Sequence, residues 1–179
     1  MVMNLYAMTT IYHTEVVIME TVSITLPQKL GMKLREKAEE TGYLPEELGV
    51  EFLRKSLNEE LDPEELVEHY QSLSDKYFRE GREFLNKGDL LQASEKLWGA
   101  AALAVKSVAA KEGKKLEKHG GLWGFVENLS SDRKDDDLVE LFHIANSLHR
   151  NFYENQMGKR SIEVAVRGIE KFMAKLREE

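Results

Sequence analysis

The stretch LHRNFYEN, residues 148–155, gathers side chains that can do chemistry. His149 can exchange a proton near neutral pH, and Arg150 offers a planar fork of donors suited to phosphate or carboxylate. Asn151 and Tyr153 add an amide and a phenol that can bind a polar ligand. Two further candidates lie elsewhere. Glu95 falls close to the apolar stripe of its predicted helix, where a carboxylate must be paired or take up a proton. His119 sits in the Gly-flanked turn KHGGLW. His149, Arg150 and His119 are the natural partners to consider for Glu95. Lys106, Lys111, Lys114, Lys115 and Lys118 gather around the end of the same helix as Glu95, as complements to its dipole or as a phosphate patch.

Each candidate has a plain reading beside the functional one. His149 and Tyr153 can be boundary residues with polar tips, and Arg150 with Glu154 an i,i+4 pair. Glu95 can be a hydrogen bond between helices, and His119 a helix cap or a solvent group. On the functional reading, His149, Arg150, Asn151 and Tyr153 wall a groove for a nucleotide, an RNA or a protein. The five histidines, at 13, 69, 119, 143 and 149, show no metal-binding spacing. No P-loop, dinucleotide or nucleophile-elbow pattern is present. Neither a metal nor a cofactor is expected.

The elements that position these residues follow from periodicity and caps. Residues 135–155 read as a helix with Leu138, Leu141, Ala145, Leu148 and Phe152 on one stripe and Arg150 opposite. Asp135, Asp136 and Asp137 stand at its start, where acidic charge is favoured. Residues 90–112 read as a helix with Leu91, Trp98, Ala102, Val105 and Ala109 inward, and Gly99 to Ala102 let a neighbour approach closely. Helices over 63–87, 120–130 and 159–178 complete a five-helix set. Asp62 is the expected cap of the first, with Pro63 at its first position.

Upstream, TVSITLP (21–27) alternates and predicts a strand that puts Val22, Ile24 and Leu26 on one face. Two helices follow, over 28–41 and from Pro45 to about Leu57, with Leu48, Phe52 and Leu53 expected inward. One strand and two short helices cannot close a core, so this unit requires a partner. Residues 1–18 differ in composition and read as an extension, an over-long start or an extra strand. The expected organisation is 1–18, a strand-helix-helix module over 19–61, and a helical bundle over 62–179.

Composition narrows the function classes. The net charge is −7, and residues 19–62 alone carry −4, from six basic and ten acidic side chains. Duplex DNA is therefore not expected as a ligand. No apolar run approaches the ~20 residues of a membrane span, and no secretory signal pattern is seen. The absence of cysteine removes disulfide and thiolate chemistry and suits a reducing cytoplasm. The unpaired edges of a lone strand predict a homo-oligomer, a dimer at least.

GDLLQASEKLWGAAALAVKSVAA (88–110), HGGLWGFVENL (119–129) and LHRNFYEN, in that order across residues 63–179, resemble the archaeal PaREP family. That family looks like a branch of the HEPN group of nucleotide-binding domains. The resemblance implies a mostly α fold, a five-helix up-and-down HEPN-like bundle, often dimeric, and no settled activity. Residues 20–58 look like a ribbon-helix-helix module. Many HEPN proteins are metal-independent ribonucleases with an Arg-x4–6-His motif. Here Arg150-Asn151 matches its beginning, but positions 155, 156 and 157 are Asn, Gln and Met. An amide cannot take and return a proton, so the carry-over stops at Arg150 and Asn151. The first expectation is a non-catalytic, oligomeric interaction or regulatory protein with a nucleotide or RNA as candidate ligand. The second is a toxin-like ribonuclease using Arg150 with His149, and the third a DNA-binding regulator acting through residues 20–58. A nucleotidyltransferase, in a toxin–antitoxin arrangement, is the partner protein the resemblance suggests.

Overall fold

The structure, a computed structural model, describes residues 23–116 and 119–178. The described chain is almost entirely helical: α1 (Gln28–Thr41), α2 (Pro45–Leu57), α3 (Pro63–Lys87), α4 (Leu90–Lys111), α5 (His119–Arg133), α6 (Asp137–Glu154) and α7 (Lys159–Arg177). Local chemistry sets most of the boundaries. Asp62 Oδ1 accepts from Glu65 N at 2.8 Å, and Glu65 Oε2 accepts from Asp62 N at 3.0 Å, a reciprocal cap that starts α3. Gly88 ends it in the left-handed region at φ 81°, where a Cβ would be strained. Asp89 restarts the chain as α4 by accepting from Gln92 N at 3.1 Å.

The bundle is built around α4. Leu97, Ala100, Ala101, Leu103, Val105 and Ala109 of α4 are fully buried, and α3, α5, α6 and α7 all pack on it. Close approach to α3 depends on small residues. Ser74 donates to Ala100 O at 2.8 Å, Gly81 faces Leu97, and Gly99 faces the Tyr77 ring. Phe142 and Phe172 close the core between α6 and α7, with ring centroids 5.8 Å apart. The acidic start of α6 is also tied to α7: Asp137 pairs with Lys171 at 2.7 Å and Asp135 with Lys175 at 2.6 Å.

Three expectations change. The strand expected over 21–26 is not formed at 23–26, which are irregular and exposed; residues 21 and 22, with the extension at 1–18, lie outside the described residues. A strand needs a neighbouring backbone to hold its N–H and C=O groups, and among the described residues none pairs there. The described residues form seven helices and not five: α1 and α2 precede α3 to α7, and α2 sets Glu46 and Glu47 against Tyr77 of α3 and Lys106 of α4. Phe52 and Leu53, expected inward, are each 49 % exposed, and Leu48 alone of the three is buried. Among the described residues no helix is long and apolar enough to cross a membrane.

Candidate functional site

On α6 the polar stretch separates into distinct environments. Arg150 is exposed and pairs with Glu154 across one turn, Nη2 to Oε1 at 3.3 Å. Asn151 points the other way and is 2 % exposed. Its Nδ2 donates to Ser94 Oγ on α4 at 2.8 Å, and its Oδ1 accepts from the backbone N–H groups of Gln156 and Met157 at 2.9 and 2.6 Å. The amide thus ties α6 to α4 and holds the turn after the left-handed Asn155, φ 50°. His149 rests its ring on Trp98, centroids 4.8 Å apart, and on the edge of Tyr153 at 5.4 Å. Tyr153 is exposed, with its phenol pushed up by partial burial and then by the negative charges of Glu39 and Glu95. Phe152, expected on the inward stripe, is only half-buried, while Phe142 is fully buried. Of His119 the backbone start of α5 is described and the side chain is not.

Glu95 lies in a different place, a cleft of about 1510 Å³ between the α1–α2 arm and the α3–α4 pair. Apolar side chains of the arm, among them Leu30, Leu34, Val50 and Leu53, face Leu73 and Tyr77 of α3 across it. Desolvation pushes the Glu95 carboxyl up; Lys96 and Arg35 oppose this, and Glu46 and Glu39 add to it. Its charged neighbours thus include Arg35 and Glu39 of α1 and Glu46 of α2, and its own charge also reaches Tyr153 of α6.

The densest polar chemistry lies along the same contact. Glu46 accepts a hydrogen bond from the Tyr77 phenol. Lys96 Nζ sits 3.3 Å from Glu46, 2.8 Å from Glu80 and 3.9 Å above the Tyr77 ring. Burial weighs most on Glu46, but Tyr77 and Lys96 together hold its carboxyl below the usual range. Burial and then the Glu46 charge push the Tyr77 phenol strongly up, so it stays a donor. One residue on, Glu47 is 3 % exposed and takes Lys106 Nζ at 2.8 Å on both carboxylate oxygens. His69 lines the cleft with its Nε2 buried and unpaired among the described residues. Burial depresses its basicity, partly offset by Glu47.

The lysines seen as a phosphate patch are mostly committed. Lys106 is 4 % exposed and bound to Glu47, Lys114 pairs with Glu112 at 2.7 Å, and Lys115 reaches Glu51 at 3.3 Å. Lys118 lies outside the described residues. Glu46, Glu47, Tyr77, Lys96 and His69 were not among the expected site residues. Glu46 and Glu47 stand in the first turn of α2, where acidic charge is favoured for local reasons alone, so their position gives no sign of a second role. Chemically, the cleft can hold an apolar segment with polar anchors; in the LHRNFYEN stretch Arg150, Tyr153 and Glu154 are exposed and His149 is half-buried.

The profile of the archaeal PaREP1/PaREP8 family matches residues 69–173, which span most of α3 through α7. The crystal structure of a protein from Sulfolobus solfataricus is similar over 57% of this chain and 92% of its own, with 25% sequence identity and a TM-score of 0.51. No curated protein matches. The α1–α2 arm lies outside the family match.

Proposed function

The chain belongs to the archaeal PaREP1/PaREP8 family, and we propose that it is a non-catalytic interaction protein whose α1–α2 arm joins it to a second copy, making a dimer at least. The observation that carries this is where apolar surface remains. Ile24, Leu26, Leu30, Met32, Phe52, Leu53 and Leu57 are all large and exposed, and all lie in one 34-residue span. The rest of the described chain adds Tyr153 and Val164. Exposed apolar groups concentrated in this way mark an interaction surface. The start of the same span carries part of the strand pattern, which has no neighbour among the described residues, and a second copy would supply one. The ribbon-helix-helix likeness of residues 20–58 agrees with this use of the arm.

The non-catalytic part rests on the α6 chemistry. Asn151 spends its amide on Ser94, Gln156 and Met157, and Arg150 stands in solvent beside Glu154, with no histidine at the family-type spacing. A ligand-binding role for LHRNFYEN, whether nucleotide or RNA, then falls to Arg150, His149 and Tyr153 on a HEPN-like bundle. The DNA-regulator alternative would ask a segment of net charge −4 to meet phosphates, which works against it.

The test is light scattering on the full chain at micromolar concentration, alone and with Phe52→Glu and Leu53→Glu together. A dimer that becomes a folded monomer in the variant supports the reading. A wild-type monomer overturns it.

A further inference from the structure

The arm and the bundle meet at a short stretch, and its chemistry is unusual for helix packing. Leu44 to Leu48 crosses α3 and α4 beside Gly99, where the missing Cβ makes room for the Tyr77 ring and Leu44. Leu44, packed against the apolar core, supplies the apolar part of this contact. The rest is ionic or charge-assisted: Glu47 with Lys106, Glu46 with Tyr77 and Lys96, and one turn later Glu51 with Lys115. Between residues 23 and 57 only Ala38, Glu47 and Leu48 are buried. The bundle, in contrast, is held by a continuous apolar core from α3 to α7.

These two kinds of contact respond differently to separation. Pulling apart an apolar core exposes surface that water disfavours. Pulling apart a buried ion pair returns both ions to water, and their recovered hydration offsets most of the lost attraction. A contact dominated by paired charges is therefore specific in geometry and easy to undo. The asymmetry appears when one partner is missing: the docked state then buries a charge stripped of its counter-ion, and docking becomes less favourable.

We propose that Glu46 and Glu47 form a releasable latch that holds the α1–α2 arm on α3 and α4, so the arm opens and closes as a unit while the bundle stays folded. Closed, the arm supplies one wall of the cleft and Leu73, Tyr77 and Lys96 the other. Opening removes the cleft and uncovers the α3–α4 surface beneath it. The pivot is the non-helical stretch 58–62, which begins with Asn58 in the left-handed region at φ 55°. The latch adjoins the self-association surface, since Ile24, Leu26, Leu30, Met32, Phe52 and Leu53 line the same cleft as Glu46.

The absence of cysteine makes the test direct. Lys33→Cys on α1 and Glu127→Cys on α5 place one spin label on each body of the full chain, diluted with unlabelled protein so that only distances within a chain are read. The latch predicts a single dominant distance in the parent. Glu47→Gln and Lys106→Gln should each shift most of the population to a longer, broader distribution, with helix content and hydrogen-exchange protection of α4, α6 and α7 unchanged. Glu47→Leu with Lys106→Met, an uncharged pair of similar volume, should restore the short distance. So should Glu47→Lys with Lys106→Glu in one chain. An unchanged distance in both single variants overturns the proposal. So does loss of protection in α4 and α6 together with the arm, which would make arm and bundle one cooperative unit. Restoration on mixing a Glu47→Lys chain with a Lys106→Glu chain would also overturn it, because the pair would then form between copies.

Discussion

Asn151→Ala separates a structural amide from a ligand-binding one. Asn151 is 2 % exposed and makes three hydrogen bonds, one to a buried hydroxyl and two from backbone N–H groups. After truncation Ser94 Oγ still donates to Leu90 O at 2.8 Å, so it loses an incoming donor and not its whole satisfaction, worth about 1 kcal/mol. The N–H groups of Gln156 and Met157 lose their acceptor at a partly wet helix end, which places each near the lower part of the ~1–3 kcal/mol range for orphaned groups. The expected loss is therefore about 2–4 kcal/mol. For a chain of this size it lowers the thermal midpoint by roughly 5–15 °C. Ser94→Ala should cost about 1 kcal/mol, and the two changes should be non-additive by a similar amount because they share one bond. The assay is thermal and urea unfolding of all four members of the cycle. An unchanged midpoint in Asn151→Ala, combined with loss of RNA or nucleotide binding, would refute the structural role.

Other substitutions test the remaining contacts. Gly99→Ala would bring a Cβ within 2.5 Å of the Tyr77 ring and 3.3 Å of Leu44, so it should destabilise by about 1–3 kcal/mol in urea unfolding and loosen the arm. Arg150→Ala should change stability by no more than about 0.5 kcal/mol, since its pair with Glu154 is solvent-exposed, and RNA incubated with metal chelated should remain intact with wild type and variant alike. Glu51 gives a pH signature. Its hydrogen bond to Arg54, with help from Lys55 and Lys115 and against desolvation, holds the carboxyl at about 2 instead of 4.5. A carboxyl depressed on folding stabilises above its unfolded value, and that contribution fades as pH falls through the folded one. The stability advantage of wild type over Glu51→Gln, measured by urea unfolding, should hold above pH 4.5 and shrink towards pH 2.

Helix starts and stops were legible because their causes are local. Asp62, Pro63 and Glu65 write the start of α3 within four residues, and Gly88 with Asp89 writes the junction to α4. The small run Gly99 to Ala102 announced a close helix approach, and α3 makes it, with Ser74 on Ala100 and Tyr77 on Gly99. The Arg150–Glu154 pair, read off the i,i+4 spacing, stands on the surface of α6. The inward stripe of α2 was misjudged for a physical reason. Periodicity gives the apolar face of a helix but not whether anything in the same chain covers it, and Phe52 and Leu53 remain uncovered. Asn151 was misplaced through its polarity: an amide on a helix flank reads as available, whereas the turn after α6 and Ser94 across the bundle consume it.

The sequence by itself determined the helical class, the caps and the breaks, since those depend on backbone groups and side chains a few residues apart. It also determined that positions 155 to 157, where an Arg-x4–6-His motif starting at Arg150 would place its histidine, hold Asn, Gln and Met. Tertiary structure alone decided which charges are spent and which are free. Lys106 sits among solvent-type lysines in the sequence, yet it is buried against Glu47, a residue 59 positions earlier. Glu95, read beside His149, Arg150 and His119, lines the cleft under the arm, where charges of α1 and α2 act on it. A charge's fate depends on its desolvation and on the partner brought beside it, and both come from segments far away in the chain.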